Sequence, residues 1–462
     1  MKRMKKATIA LILSFASAPV LAKPITEAQQ QEVITKITQL MSDKYVFPEM
    51  AAHTNKKLTA ALKNGEFSNY LDDEEFADAL STWLQQHAED RHLRVKANPV
   101  QKDVKGAESR LHQKLTTKAR FDKLNQGVVE AKVFADNIGY LDLRGFSHLS
   151  HSKTYIDSAM QLLANSDAVI IDLRKNGGGS PRTVQYLCSY FFDEPLLLNS
   201  LYFREGDETR DFYVLDEVNG KKMPDVPLYV LTSNKTFSGA EEFSYNMQTR
   251  DRATLIGTTT GGGANPGGMF TIDENFRMFI ATGTAINPVT KTNWESVGVK
   301  PDVEVAADEA LDKALELATA QVNESWSELK AQREVQSQQL LQILDNVKSS
   351  SDSIEQINAQ YQQKVVELVT QLQLGDRDLA MLAHERWQKS PHYAAFLFEI
   401  AVDINDKETF LYEFWARSLA KMGHTKEAQQ IISVGIDKVE GDEHITMLKE
   451  ALAEITSATK TL

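Results

Sequence analysis

Cysteine is almost absent from this chain, whose 462 residues include only Cys188. A single thiol cannot form an intramolecular disulfide, so the fold has to be stable without covalent cross-links even in an oxidising compartment. The residue lies in the apolar segment TVQYLCSYFF, which has the pattern of a helix face. That setting predicts a buried structural thiol rather than a reactive one.

Long hydrophobic runs are also missing, with one exception at the N-terminus. Residues 1–22 combine the basic segment MKRMKK, an apolar stretch and the small-residue sequence Val20-Leu21-Ala22, an order typical of a secretory signal peptide. No other segment approaches the roughly 18 apolar residues of a membrane-spanning helix. The sequence therefore predicts cleavage after Ala22 and a periplasmic or secreted protein without an integral membrane segment.

Basic residues are fewer than acidic ones, which gives a formal net charge of -13. Loss of residues 1–22 removes four basic residues and no acidic ones, and moves the charge to -17. Acidic proteins are repelled by phosphate backbones and by anionic membrane surfaces. We therefore expect no nucleic-acid partner.

Glycine nearly vanishes after Ala306, and the apolar spacing from there to the end is helical. We assign residues 306–462 to a helical C-terminal domain that packs on the rest of the protein or mediates partner binding or self-association. Its segment FWARSLAKMGHTKEAQQIISVGI has the rhythm of a helical-hairpin repeat. At the other end, residues 23–97 also show helical spacing and form a small helical module, which the polar residues 98–129 connect to the next domain.

Residues 130–305 alternate strand-like and helix-like segments, which predicts an α/β domain with a mostly parallel sheet and crossover helices. The strand-like segments are NIGYLDL, AVIIDLR, PLYVLTS, ATLIGTT and FRMFIATGTAI. The helix-like segments are KTYIDSAMQLLAN, RTVQYLCSYFF and GAEEFSYNMQTR.

Ser238 is the strongest candidate functional residue, because it lies where a buried strand, Leu228 to Thr232, gives way to a helix. A serine at such a corner is either a helix N-cap or an exposed nucleophile. Two glycine-rich segments favour the nucleophile: DLRKNGGGSP follows the strand-like run from Ala168 to Ile171, and TGGGANPGG lies downstream, before NWESVGVKPDVEV.

The ordered motifs Asp-Leu-Arg-x-Asn-Gly-Gly-Gly, Thr-Ser-x-x-Thr-x-Ser-Gly-Ala-Glu and Gly-Val-x-Pro-Asp resemble the C-terminal-processing (tail-specific) serine protease family. They extend over roughly residues 130 to 305. Within the family the chain is more similar to the branch of tricorn protease cores and interphotoreceptor retinoid-binding protein. The resemblance implies a crotonase-like (ClpP-like) β/α core after a helical module, and a serine peptidase that acts through an acyl-enzyme.

A serine nucleophile needs a general base, which many members of this family supply as a lysine about 25 positions after the serine. That position is Gly263 here, and no lysine occurs between Gly239 and Ile286. The tricorn-like branch uses a histidine on an Asp-x-His element, which matches Asp90-Arg91-His92. His92 is therefore the expected base, with His148 and His151 as the rival candidates. Arg91 departs from the Gly or Ser that relatives often have, which leaves the substrate contacts open.

The resemblance also implies the remaining site residues. Glu295, shortly before Gly-Val-x-Pro-Asp, is the expected partner of His92, and the amides of Gly239 and Gly178 are the expected oxyanion donors. Glu241, Glu242 and Asp302 are interpreted as structural residues. No cluster of His, Cys, Asp and Glu has metal-ligand spacing along the sequence, so neither a metal nor another cofactor is expected.

The sequence as a whole favours an exported serine endopeptidase that cleaves protein or peptide substrates. Two alternatives stay open at this point. One is a non-catalytic binding protein for lipids or other hydrophobic ligands on the same scaffold, as the retinoid-binding relatives are. The other is an envelope scaffold that acts through its helical C-terminal domain.

Overall fold

The computed structural model describes residues 25–70, 72–97, 115, 119 and 122–458. The predicted signal peptide and most of the predicted connecting segment lie outside these residues. The chain divides into two compact units, of which the first ends at Val322 and the second begins at Asn323. No helix in the described part of the chain is long and apolar enough to cross a bilayer.

Three helices open the first unit, as the apolar spacing predicts. Thr26 and Gln29 form a capping box at the start of the first helix, and Asp72 caps the third by accepting hydrogen bonds from the amides of Glu74 and Glu75. Val33, Ile34, Ile37 and Met41 are buried on one face of the first helix. The bounds are α1 Glu27–Lys44, α2 Pro48–Lys63 and α3 Asp73–Ala88.

A six-stranded sheet forms the centre of the first unit and confirms the predicted parallel-rich α/β core. Its strands are β2 Val128–Val133, β3 Ile138–Leu143, β4 Ala168–Asp172, β7 Leu228–Thr232, β8 Thr254–Gly257 and β12 Val303–Glu304. Their spatial order is β12-β8-β7-β4-β3-β2, and every neighbouring pair is parallel except the edge pair of β2 and β3. The predicted helices are α4 Leu149–Leu163, α5 Pro181–Cys188 and α6 Gly239–Gln248. Cys188 is fully buried in this core, as its setting predicts.

The first unit also contains two three-stranded sheets, which the sequence did not predict. The segment FRMFIATGTAI, expected to be one strand, forms two strands that belong to different sheets. The strands are β1 Arg94–Ala97, β5 Leu197–Phe203, β6 Glu208–Tyr213, β9 Gly267–Thr271, β10 Phe276–Ala281 and β11 Gly283–Ile286. One sheet has the order β1-β10-β9 and the other the order β11-β5-β6.

The pairing of β1 with β10 matters most for function, because it attaches the helical module to the core. Arg94, two residues after His92, lies opposite Phe279 in this antiparallel pair. His92 is therefore held at the edge of the core by a strand, although it belongs to the N-terminal segment of the chain.

The second unit is helical throughout its described residues, as predicted. Helix α7 (Ala310–Ser349) begins in the first unit, where Ala310, Ala314 and Ala318 pack with buried side chains of the main sheet. The second unit has its own core, which includes Leu379, Phe396, Phe398 and Leu411. Its further helices are α8 Ile354–Leu372, α9 Asp376–Arg386, α10 Pro391–Ile404, α11 Thr409–Lys421, α12 Thr425–Lys438 and α13 Asp442–Ala458.

Candidate active site

Ser238 lies in a strained turn immediately before α6. Its φ of 54° and ψ of -121° lie in a region that residues other than glycine rarely adopt, and such a conformation costs on the order of 1–3 kcal/mol. Strain of this kind concentrates where a side chain has to be presented in one direction. The position at the helix N-terminus also leaves free N–H groups near the serine.

Glu241 holds this turn in place from inside the protein. Its carboxylate accepts hydrogen bonds from the Ser238 N–H (2.8 Å) and, on the downstream glycine-rich loop, from Thr260 Oγ1 (2.5 Å) and the amides of Gly262 (2.6 Å) and Gly263 (2.8 Å). Burial raises the pKa of Glu241. The side chain thus ties the serine turn to the second glycine-rich loop, in agreement with a structural role.

Gly178 lies directly beside the serine turn, as the motif order predicts. A Cβ on Gly178 would lie 2.7 Å from the Gly239 nitrogen and 2.8 Å from the Ser238 Cβ, and the residue has a φ of +94°. However, the Gly178 N–H donates to Asn176 Oδ1 at 2.8 Å. The amide nitrogen of the next residue, Gly179, lies 3.1 Å from the Cβ position of Gly239. Gly178 can serve as an oxyanion donor only if its amide leaves Asn176, so the Gly179 amide is the more direct candidate from this loop.

His92 approaches the serine turn from the helical module. Its ring packs between Phe237, the residue before Ser238, and Phe279 of β10, with centroid distances of 4.7 and 5.4 Å. A Cβ on Gly263 would lie 2.7 Å from His92 Cε1, so that glycine makes room for the ring. Burial, with a smaller effect from Arg94, lowers the pKa of His92 to about 4. The imidazole is therefore neutral at pH 7 and able to accept a proton.

Glu295 lies near the Nδ1 atom of His92. Its Oε2 is 3.9 Å from His92 Nδ1 and accepts hydrogen bonds from the amides of Ala264 (2.6 Å) and Asn265 (3.1 Å). Oε1 accepts from the Arg91 amide at 3.3 Å. Burial raises the pKa of Glu295 to about 8, with a further contribution from the nearby charge of Asp90.

Asp90 is a second carboxylate at the same nitrogen, and sequence reasoning assigned it no role. Its Oδ1 also lies 3.9 Å from His92 Nδ1, and the residue is 1% exposed. The only sequence signal was the Asp-x-His spacing itself. The folded chain also brings ligand atoms of Asp90, His92 and Glu295 within 4.8 Å of one another, a cluster that the spacing along the sequence does not reveal.

The rival histidines have other contacts. His148 precedes α4, where its Nδ1 lies 2.9 Å from Ser150 Oγ. The rings of His148 and His151 lie 6.0 Å apart, and both residues are exposed. Neither makes a hydrogen bond or ring contact with the serine turn among the described residues, whereas His92 packs on Phe237.

The other acidic residues occupy structural positions. Glu242 is buried, and burial raises its pKa to about 7. Asp302 accepts from the amide of Leu255 (2.7 Å) and from Gln248 Nε2 (2.8 Å), which fixes the start of the last strand of the main sheet.

Two family models match the sequence. Residues 137–305 match peptidase family S41, and residues 22–131 match the N-terminal domain of peptidase family S41 in eukaryotic interphotoreceptor retinoid-binding protein. Together the two matches cover both the main sheet and the helical module that carries His92.

Individual relatives are distant. The chain is 26% identical over 168 residues to carboxyl-terminal-processing peptidase 3 of Arabidopsis thaliana chloroplasts, which covers 36% of this chain and 31% of the relative. It is 25% identical over 182 residues to a carboxyl-terminal-processing protease of Picosynechococcus, covering 39% and 42%. The chain thus spans less than half of each relative. A crystal structure of a peptidase-like protein from Parabacteroides merdae aligns with a TM-score of 0.46 and 19% identity, over 62% of this chain and 96% of the other.

Proposed function

We propose that this chain, which belongs to peptidase family S41, is an exported serine endopeptidase that cleaves protein or peptide substrates through an acyl-enzyme. The observation that carries the proposal is the strained serine turn of Ser238, with the buried imidazole of His92 packed on its neighbour Phe237. A strained nucleophile next to a neutral base is the arrangement that acyl transfer requires.

Ser238 Oγ attacks the scissile carbonyl carbon, and its proton passes to His92 Nε2 as the new O–C bond forms. The carbonyl electron pair moves onto the oxygen, which then receives hydrogen bonds from the amide of Gly239 and from a second amide at Gly178 or Gly179. Glu295 orients His92 and stabilises the imidazolium. Collapse of the intermediate expels the amine with the proton from His92, and water then hydrolyses the acyl-enzyme by the same steps.

A lysine base is not part of the proposal. Other family members carry the lysine on the downstream glycine-rich loop. In this chain the corresponding residue is Gly263, which packs against the rings of His92 and Phe237. A lysine at that position would collide with the imidazole. The chain therefore favours the histidine-dependent chemistry.

Export remains part of the proposal on sequence grounds, since residues 1–22 have the order of a signal peptide. The experiment that tests the catalytic proposal is labelling of the purified protein with a fluorophosphonate, which reacts only with activated serines. The proposal requires covalent modification of Ser238.

A further inference from the structure

The Nδ1 atom of His92 faces two carboxylates at the same distance. Asp90 Oδ1 and Glu295 Oε2 each lie 3.9 Å from it. Nδ1 itself is buried and has no hydrogen-bond partner among the described residues. A small rotation of the ring would bring the Nδ1–H within hydrogen-bond distance of either oxygen, so the geometry gives neither carboxylate priority.

Both carboxylates are held by donors that leave them little freedom to turn away. Asp90 accepts hydrogen bonds from the Tyr45 hydroxyl (3.1 Å), the His92 amide (2.8 Å) and Asn265 Nδ2 (3.4 Å). Glu295 is fixed by three backbone amides, one of which belongs to Asn265. Asn265 thus contacts both acids and sets their spacing around the imidazole.

The charges around the ring support a shared function. Among the described residues neither Asp90 nor Glu295 forms an ion pair with a lysine or arginine; Arg91 meets Glu295 through its amide, and Arg94 disfavours the imidazolium. Two buried like charges repel, so such a pair tends to keep one proton and one negative charge. Burial raises the pKa of both acids, which is consistent with this state.

We propose that Asp90 is a second positioning residue for His92, and that Asp90 and Glu295 together accept the Nδ1–H and stabilise the imidazolium that forms when Ser238 is deprotonated. This inference rests on the proposed function. The negative charge shared by the two acids neutralises the imidazolium, while the proton that remains between them keeps the resting site from holding two buried anions.

The test measures the rate of Ser238 labelling by a fluorophosphonate as a function of pH in the full chain. Because one acid remains in each single variant, Asp90→Asn and Glu295→Gln should each slow labelling by roughly 10- to 100-fold. Each should also shift the acid limb of the pH profile, because the remaining acid and His92 then titrate without the coupled partner. In the double variant the rate of Ser238 labelling should fall by about 10³-fold or more.

Asp157→Asn is the matched control. Asp157 is also buried and also accepts from tyrosine hydroxyls, those of Tyr186 and Tyr190, but it lies on α4. This variant reports the cost of neutralising a buried, tyrosine-bound carboxylate. It should change the free energy of unfolding without moving the pH profile of labelling.

A second measurement, which does not use Asp90→Asn, protects the test against misfolding of that variant. In Glu295→Gln, the downfield proton NMR resonance of the His92 Nδ1–H should persist, because Asp90 still accepts a hydrogen bond from this group. Loss of that resonance in Glu295→Gln, or an Asp90→Asn profile that matches the Asp157→Asn control, overturns the inference. If wild-type Ser238 is not labelled at all, the proposed function itself fails, which is a separate outcome.

Discussion

Gly178 lies so close to Ser238 that no side chain fits between them: a Cβ on Gly178 would be 2.8 Å from the Ser238 Cβ and 2.6 Å from the Phe237 carbonyl oxygen. The two residues come from different loops, one after β4 and one after β7, which are neighbouring parallel strands. The contact therefore sets how near the first glycine-rich loop can come to the serine.

This contact predicts that Gly178→Ala inactivates the protein. The new methyl group would push the loop from the serine turn, and the φ of +94° is unfavourable for alanine. Fluorophosphonate labelling of Ser238 should fall by at least about 100-fold, the typical cost of losing an oxyanion donor. Gly177→Ala is the control, because a Cβ there meets nothing within 4 Å. Equal labelling of the two variants would contradict the proposed role of this loop.

Ser238→Ala should abolish labelling and leave the fold intact, because the side chain loses only its hydroxyl. The measurement is in-gel detection of the probe together with circular dichroism and a thermal melt. Ser158→Ala, which changes an exposed serine of α4, should label like the wild type. Equal labelling of wild type and Ser238→Ala would exclude Ser238 as the nucleophile.

His92→Ala should lower kcat on a labelled casein substrate by at least about 10³-fold, since removal of a triad member typically costs that order. Glu295→Gln should have a milder effect. His148→Ala and His151→Ala should remain close to wild type, because both residues are exposed and His148 contacts Ser150. If the His148→Ala variant is inactive while His92→Ala remains active, the general base lies in the loop before α4.

The pH dependence of kcat/KM should reflect the burial of His92. An unperturbed histidine gives an acid limb near pH 6.5, but burial lowers the pKa of His92 to about 4. We therefore expect activity to persist below pH 6 and to fall as the pH approaches 4. An acid limb at 6.5 or above in the free enzyme would show that the carboxylates offset the burial completely.

Glu242 should make the protein less stable as the pH rises. Burial raises its pKa from the ordinary 4.5 to about 7, so the folded protein holds a proton that the unfolded chain loses. Its contribution to stability is present below pH 4.5 and disappears as the pH rises through 7, by up to roughly 3 kcal/mol. Urea denaturation at several pH values should show that Glu242→Gln removes this loss. If the free energy of unfolding changes with pH in the same way in the wild type and in Glu242→Gln, this prediction is wrong.

Much of the core could be predicted because its signals are local. The runs that became β3, β4, β7 and β8 are short, apolar and bounded by turn residues, which is typical of buried parallel strands. The family resemblance is likewise confirmed by the matching family models. The family resemblance implied Gly178 beside Ser238 and His92 beside Glu295, and the structure brings both pairs together.

What the sequence could not predict depends on contacts between distant segments. FRMFIATGTAI reads as one strand, but the amides of Thr282 and Gly283 both donate to the Pro266 carbonyl, and the chain changes sheets there. Asp90 has the pattern of a helix-end acid. Its position at His92 depends on Tyr45 and Asn265, which lie 45 and 175 residues away.

The proposed catalytic residues also have an order in time. A ribosome makes His92 first, then Ser238, and Glu295 last. The loop that fixes Ser238 through Glu241, residues 260–263, is likewise made after the serine. A growing chain thus contains a base and a nucleophile before it contains the parts that align them. In the proposed mechanism the site is complete only once residue 296 has been made, when the last loop closes on the helical module through Ser296 and Glu89.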